Sequence, residues 1–136
     1  MGDQDERGFT IVELVVVVTI IGVLSAIVLP GFNKAQIHAK EVAITTMAQS
    51  IQMGIETYYI DTGSYPDQSS IESLLTELVE NRDLSSHPKN PFSNSEFSST
   101  DSSGKLVYQY NSTDAAYTLT AYGQGNSAVL STLSSL

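Results

Sequence analysis

From Phe9 to Leu29 the chain runs for 21 residues in which only Thr10, Glu13, Thr19 and Ser25 are polar. At ~1.5 Å rise per residue such a stretch makes a helix about 31 Å long, the thickness of a bilayer's hydrocarbon core. A secretory signal pairs a basic start with a shorter apolar region and a small-residue cleavage site after it. Here the polar leader Met1 to Gly8 precedes a run too long for that pattern, so the run is expected to be retained. Pro30 and Gly31 follow. Pro30 cannot donate a backbone hydrogen bond to Ala26, which predicts either a helix stop or a kink. The residues beyond favour a kinked continuation: Ile37, Ile44, Ile51 and Tyr58 recur every seven positions, with Met47, Ala48 and Ile55 on the same face. From Phe9 to Tyr59 that is 51 residues, or about 77 Å of helix if unbroken.

Beyond Tyr59 the pattern changes. Gly, Pro and Asp between Asp61 and Asp67 mark a turn, and Ser69 with Glu72 three later reads as a capping box opening a short helix. Ile71, Leu74, Leu75, Leu78 and Val79 give that helix one apolar face. Ser85 to Gly104 is rich in Ser, Asn and Pro and reads as a loop decorating the head. Lys105 to Asn111 and Ala116 to Tyr122 alternate, placing Leu106, Tyr108 and Tyr110 on one face and Tyr117, Leu119 and Ala121 on one face of the partner, with Ser112 to Ala115 as a hairpin loop. Ser127 to Leu133 reads equally as a third strand, a short helix or a loose tail. The fold class expected is α+β: a long kinked N-terminal helix, apolar in its first half, packed against a small antiparallel sheet head.

Composition narrows the function classes. The 136 residues less the apolar run leave enough for one small head. A formal net charge of -9 and a pI near 4.3 argue against direct nucleic-acid binding. Cys is absent, so neither disulfides nor thiolate chemistry are available. Glu13 is the single ionisable residue of the apolar run. A carboxylate at membrane depth is costly, so it is either hydrated close to the interface, one turn inside the span, or paired.

The segment GFTIVELVVVV, Gly8 to Val18, closely resembles the class III signal of type IV prepilins: a Gly, an aromatic, and Glu at the fifth position after the cut. The resemblance implies cleavage between Gly8 and Phe9 by a membrane-embedded prepilin peptidase and N-methylation of Phe9. Gly8 lacks a side chain and so permits a closely approached, extended backbone at the scissile bond. The resemblance also implies that the Glu13 carboxylate attracts the N-terminus of Phe9 on a neighbouring subunit and sets axial register, an attraction that strengthens as water is excluded. An S-shaped helical stalk is implied as well. Gly22 and the Pro30-Gly31 pair are its weak points, where it could extend or melt on assembly, since Gly costs ~1 kcal/mol and Pro ~3 kcal/mol in a helix. The leader differs from the more basic stretch usual in prepilins, since Asp3, Asp5 and Glu6 outnumber Arg7.

The expected organisation is a leader over 1–8, a transmembrane and filament-core helix over 9–29, its amphipathic continuation over 30–60, and a head over 61–136. The implied function is that of a structural subunit of a type IV pilus, a fimbrium serving motility, adhesion or DNA uptake. Such a subunit is anchored in the bacterial inner membrane as a precursor and polymerises into an extracellular helical homo-oligomer with the help of an inner-membrane assembly platform. YYIDTGSYPD and HPKNPF are similar to type IV pilins and equally to major pseudopilins of type II secretion, which stand as the alternative. A solitary membrane-anchored binding module is an alternative of another class, although it leaves the Gly-Phe-x-x-x-Glu arrangement without a purpose.

Catalytic constellations are not evident, and no cofactor is expected. His38 falls among helix residues, His87 precedes Pro88 in a polar loop, and GQG at Gly123 to Gly125 reads as a turn. Asn94, Glu96, Asp101 and Asp114 offer oxygen ligands, but their spacing matches no compact calcium loop. Surface solubility and turn formation account for them. The tyrosines at 58, 59, 65, 108, 110, 117 and 122 read as core and sheet packing. Many Gram-negative type IV pilins close a C-terminal loop with a disulfide, which this chain cannot form.

Overall fold

The computed structural model describes residues 8–135, so the leader, apart from Gly8, lies outside the described residues. The chain divides into two compact units, one ending at Gln36 and the other starting at Ile37. Helix α1, Ile11–Thr62, contributes its first part to the one and its second part to the other. It continues through Pro30 and Gly31, as the heptad spacing beyond them required.

Several hydroxyl side chains along α1 bond back to the helix itself. Thr19 donates to the Val15 carbonyl at 2.7 Å, and Thr46, Ser50 and Thr57 likewise bond back one turn. In the apolar first part this matters most, because a hydroxyl facing hydrocarbon has no water to bond. The helix ends at Gly63, whose φ of +79° lets its N–H return to the Tyr59 carbonyl at 2.8 Å.

In the second unit α1 buries Ile44, Ala48, Ile51 and Ile55 completely. Helix α2, Ile71–Glu80, brings Ile71, Leu74, Leu75 and Leu78 to the same core. Gly54 allows the approach: a Cβ there would lie 3.2 Å from the Asp83 carbonyl oxygen and 3.3 Å from the Leu84 side chain. The cap of α2 corrects the expectation. Ser70, not Ser69, is the N-cap, accepting from the Ser73 N–H at 3.2 Å. Glu72 does not reach back to the cap, because its carboxylate is engaged by Ser98 and Ser99 of the long loop.

Strands β1, Leu106–Asn111, β2, Ala116–Tyr122, and β3, Val129–Ser134, form an antiparallel sheet in that order. Register pairs Tyr108 with Leu119 and Leu119 with Leu133. The C-terminal segment is therefore a strand, preceded by a short 3-10 turn at Gln124–Asn126. Leu106, Tyr108, Tyr117, Leu119 and Ala121 face the core, as the alternation requires, and Tyr110 is half-buried. The loop from Ser85 to Gly104 is more than decoration. Phe97 is buried, and Asn90, fully buried, donates through Nδ2 to the Ser103 carbonyl at 2.9 Å and accepts from the Phe92 N–H at 2.9 Å. One apolar anchor and one satisfied amide are enough to pin an otherwise polar segment.

Candidate functional site

Gly8, Phe9 and Thr10 precede α1 without helical structure, and helix begins at Ile11. Thr10 and Glu13 close a reciprocal capping box there. The Thr10 N–H and hydroxyl donate to Glu13 Oε2 at 2.8 and 2.9 Å, and the Glu13 N–H donates to Thr10 Oγ1 at 3.2 Å. The Leu14 N–H takes the Thr10 carbonyl at 3.2 Å. Glu13 is thus in the first turn, where the positive end of the helix dipole favours an anion. Thr10 was missing from the sequence reading, although its signal, Thr followed three residues later by Glu, is the same spacing sought at Ser69.

Around this box the surface is apolar on every side. Phe9, Ile11 and Val12 are 83%, 81% and 71% exposed, and Leu14 to Leu29 continue the exposed apolar surface. Ile21, Leu24, Ser25, Val28 and Leu29 line a shallow groove of about 300 Å³. A helix apolar all round belongs in a membrane or among other helices. This helix is long and apolar enough to cross a membrane. Gly22 and Gly31 lie within it, and no described residue packs against either, so packing among the described residues does not account for their lack of a side chain.

The remaining candidates are not brought together. The Asp101 carboxylate accepts from the Ser98 N–H at 2.9 Å, Asp114 accepts from the Asn111 amide at 2.6 Å, and Glu96 lies 3.7 Å from His87. Asn94 takes a turn conformation with φ of +58°. Among the described residues no group of three or more His, Asp or Glu converges as a metal site. His38 is an exposed residue of α1.

Three carboxylates organise the head. Glu56 accepts from the hydroxyls of Tyr117 at 2.7 Å and Tyr65 at 3.2 Å; Glu77 accepts from Tyr58 and Gln68, each at 2.8 Å. Rings of Tyr59, Tyr65, Tyr117 and Tyr108 follow one another at centroid separations of 4.4, 4.8 and 5.8 Å. Burial raises the Tyr108 and Tyr117 hydroxyls well above the ordinary tyrosine range, and the Glu56 hydrogen bond adds to it at Tyr117. Glu72 moves the other way. Burial would raise it, but hydrogen bonds from Ser99, from its own N–H and from Ser98 outweigh that and bring it from its ordinary 4.5 to about 2.

Comparison with known proteins agrees with this architecture. A family model described as the prokaryotic N-terminal methylation motif matches residues 3–29, and one described as type II secretion system protein G matches residues 29–131. A type IV major pilin of Neisseria gonorrhoeae is 28% identical over 65 residues, 48% of this chain and 39% of that protein. A type IV major pilin of Myxococcus xanthus is 36% identical over 61 residues, 45% of this chain and 28% of its own length. The type II secretion system core protein G of Klebsiella michiganensis is 27% identical over 78 residues, 57% of this chain and 55% of its own. The matches thus span roughly half or less of these relatives' length. No solved structure matches the chain. Family membership implies filament assembly, processing by a prepilin peptidase and a precursor held in the inner membrane, in a structural family without enzymatic activity. The methylation motif on an exposed apolar helix and the protein G match over the head together show that this chain belongs to the pilin and pseudopilin family.

Proposed function

We propose that the chain is a structural subunit of a type IV pilus, anchored in the inner membrane before assembly and polymerising through α1 into a surface filament. The observation that carries this reading is the apolar surface exposed all round α1 from Phe9 to Leu29, interrupted by one carboxylate, Glu13. Cleavage between Gly8 and Phe9 frees an amine, and the non-helical backbone at Gly8 to Thr10 supports access of a peptidase to that bond. Within a filament, Glu13 accepts the Phe9 ammonium of a neighbour, and the apolar surfaces leave lipid for one another. Gly22 and the Pro30-Gly31 pair supply the places where the helix yields.

Replacing Glu13 with Ala tests the reading. The expected result is a chain that is inserted and cleaved but yields no fibres; fibres at the normal level overturn it. A second reading, the major pseudopilin of a type II secretion system, is favoured by the protein G match to residues 29–131. Deleting the gene and scoring surface fibres against export of secreted proteins separates the two.

A further inference from the structure

The two edges of the head's sheet are not alike. At β3 the register shifts between Ala121 and Tyr122, and Gln52 of α1 donates through Nε2 to the Ser134 carbonyl at 3.4 Å. Along β1 the pairing with β2 is unbroken, and the strand carries no charged residue and no proline to blunt its outer edge. The Lys105 carbonyl takes the Tyr122 N–H at 2.9 Å, which fixes the phase of that ladder. Val107, Gln109 and Asn111 turn their backbone groups towards β2, and Tyr108 and Tyr110 turn theirs outward. No hydrogen bond from a described residue reaches those outward groups.

Beside this edge lies a polar groove of about 490 Å³ between β1 and the segment Asp67 to Ser69. Its walls are fixed before anything enters. The Tyr108 hydroxyl donates to the Pro66 carbonyl at 2.7 Å and ties strand to segment, and Gln68 is held by Glu77 at 2.8 Å. Asp67 is exposed and makes no ion pair among the described residues. We propose that the groove takes an extended segment of a partner protein, which lengthens the sheet through the Tyr108 and Tyr110 backbone groups and sets a lysine or arginine against Asp67. An extended chain is the ligand whose own donors and acceptors recur at the two-residue spacing of those groups. The net charge of -9 favours a basic partner over a second copy of this chain at the edge.

The test is a titration of the full chain in detergent micelles with an end-blocked peptide, Thr-Val-Lys-Val-Thr, followed by amide nuclear magnetic resonance. The expected result is saturable shifts of the Tyr108 and Tyr110 amides. Asp67→Asn should weaken the peptide roughly two- to fivefold, the range of one exposed ion pair, and leave a norleucine counterpart unchanged. Two peptides methylated on alternate backbone nitrogens probe the edge with the protein itself unaltered. The set whose methyl groups face β1 should lose binding, and the other should keep it. Absence of shifts at millimolar peptide, or equal binding by the two methylated peptides, overturns the proposal. Unchanged affinity in Asp67→Asn overturns the role of that carboxylate. Shifts produced by mannose and not by the peptide would assign the groove to carbohydrate and overturn strand addition as well.

Discussion

Tyr117, on the second strand of the head, donates its hydroxyl to Glu56 of α1 across 2.7 Å, and the same carboxylate also receives Tyr65. Helix, sheet and the turn after the helix thus meet on one side chain. Glu56→Ala leaves the nearly buried Tyr117 hydroxyl without its acceptor, and a hydrogen bond to a charged group is worth about 1.5–3 kcal/mol. Thermal unfolding of the full chain in detergent, followed through tyrosine circular dichroism, should show a fall of about 4–8 °C for each kcal/mol lost. Glu56→Gln keeps an acceptor and should fall less.

Alkali should act on the same cluster. Tyr108 and Tyr117 are raised from their ordinary 10.0, chiefly by burial, so the folded head favours their neutral form. Their contribution is complete below pH 10 and declines as pH rises beyond it, because only the unfolded chain then releases those protons freely. Ultraviolet titration of tyrosinate should show these two residues ionising together with loss of fold. Smooth ionisation with the fold intact would contradict the burial argument.

Acid should loosen a different joint. Glu72, lowered to about 2, stabilises the folded head fully above 4.5 and loses that effect as pH falls from 4.5 towards 2. Its Oε1 accepts from the Ser99 N–H at 2.6 Å, the Ser99 hydroxyl at 2.8 Å and the Ser98 hydroxyl at 3.0 Å. Amide hydrogen exchange at Ser99, corrected for its intrinsic rate, should accelerate over that range. In Glu72→Gln the acceleration should already be present at neutral pH and show little further change.

Among the described glycines, Gly104 is the one least able to carry a side chain. Its φ is +68°, and a Cβ would lie 2.8 Å from Phe92 Cδ2 and 2.9 Å from Asn90 Oδ1, and against Ile44. Gly104→Ala should cost more than about 1 kcal/mol, since strain and overcrowding add. Asn90→Ala should destabilise the same loop by removing both side-chain hydrogen bonds. Limited proteolysis between residues 85 and 104 would read both variants.

The parts of the fold legible in the sequence are those written in local periodicity. Ile44, Ala48, Ile51 and Ile55 announce their face through helical spacing, and Leu106, Tyr108, Tyr117 and Leu119 through alternation. The third strand was ambiguous because SAVLSTL suits several conformations, and only its register against β2 selects one. The cap of α2 was placed one residue early because adjacent serines offer the same hydroxyl. What separates them is Glu72, drawn away by Ser98 and Ser99 more than 25 positions distant. Asn90 and Phe97 were hidden in a polar segment because their burial depends on the rest of the head, although one of the Asn90 partners, the Phe92 N–H, is only two positions away. At the start of α1, Glu13 stood out by its cost in an apolar run, whereas Thr10 passed as one more tolerated polar residue.

The all-round exposure of the apolar helix bears on how growth is regulated. A rod with Phe9, Ile11 and Val12 so bare has no dissolved state in water to exchange with. In the filament proposed above, supply would then be set by the number of subunits per area of membrane, and elongation would respond to crowding in two dimensions instead of to bulk concentration.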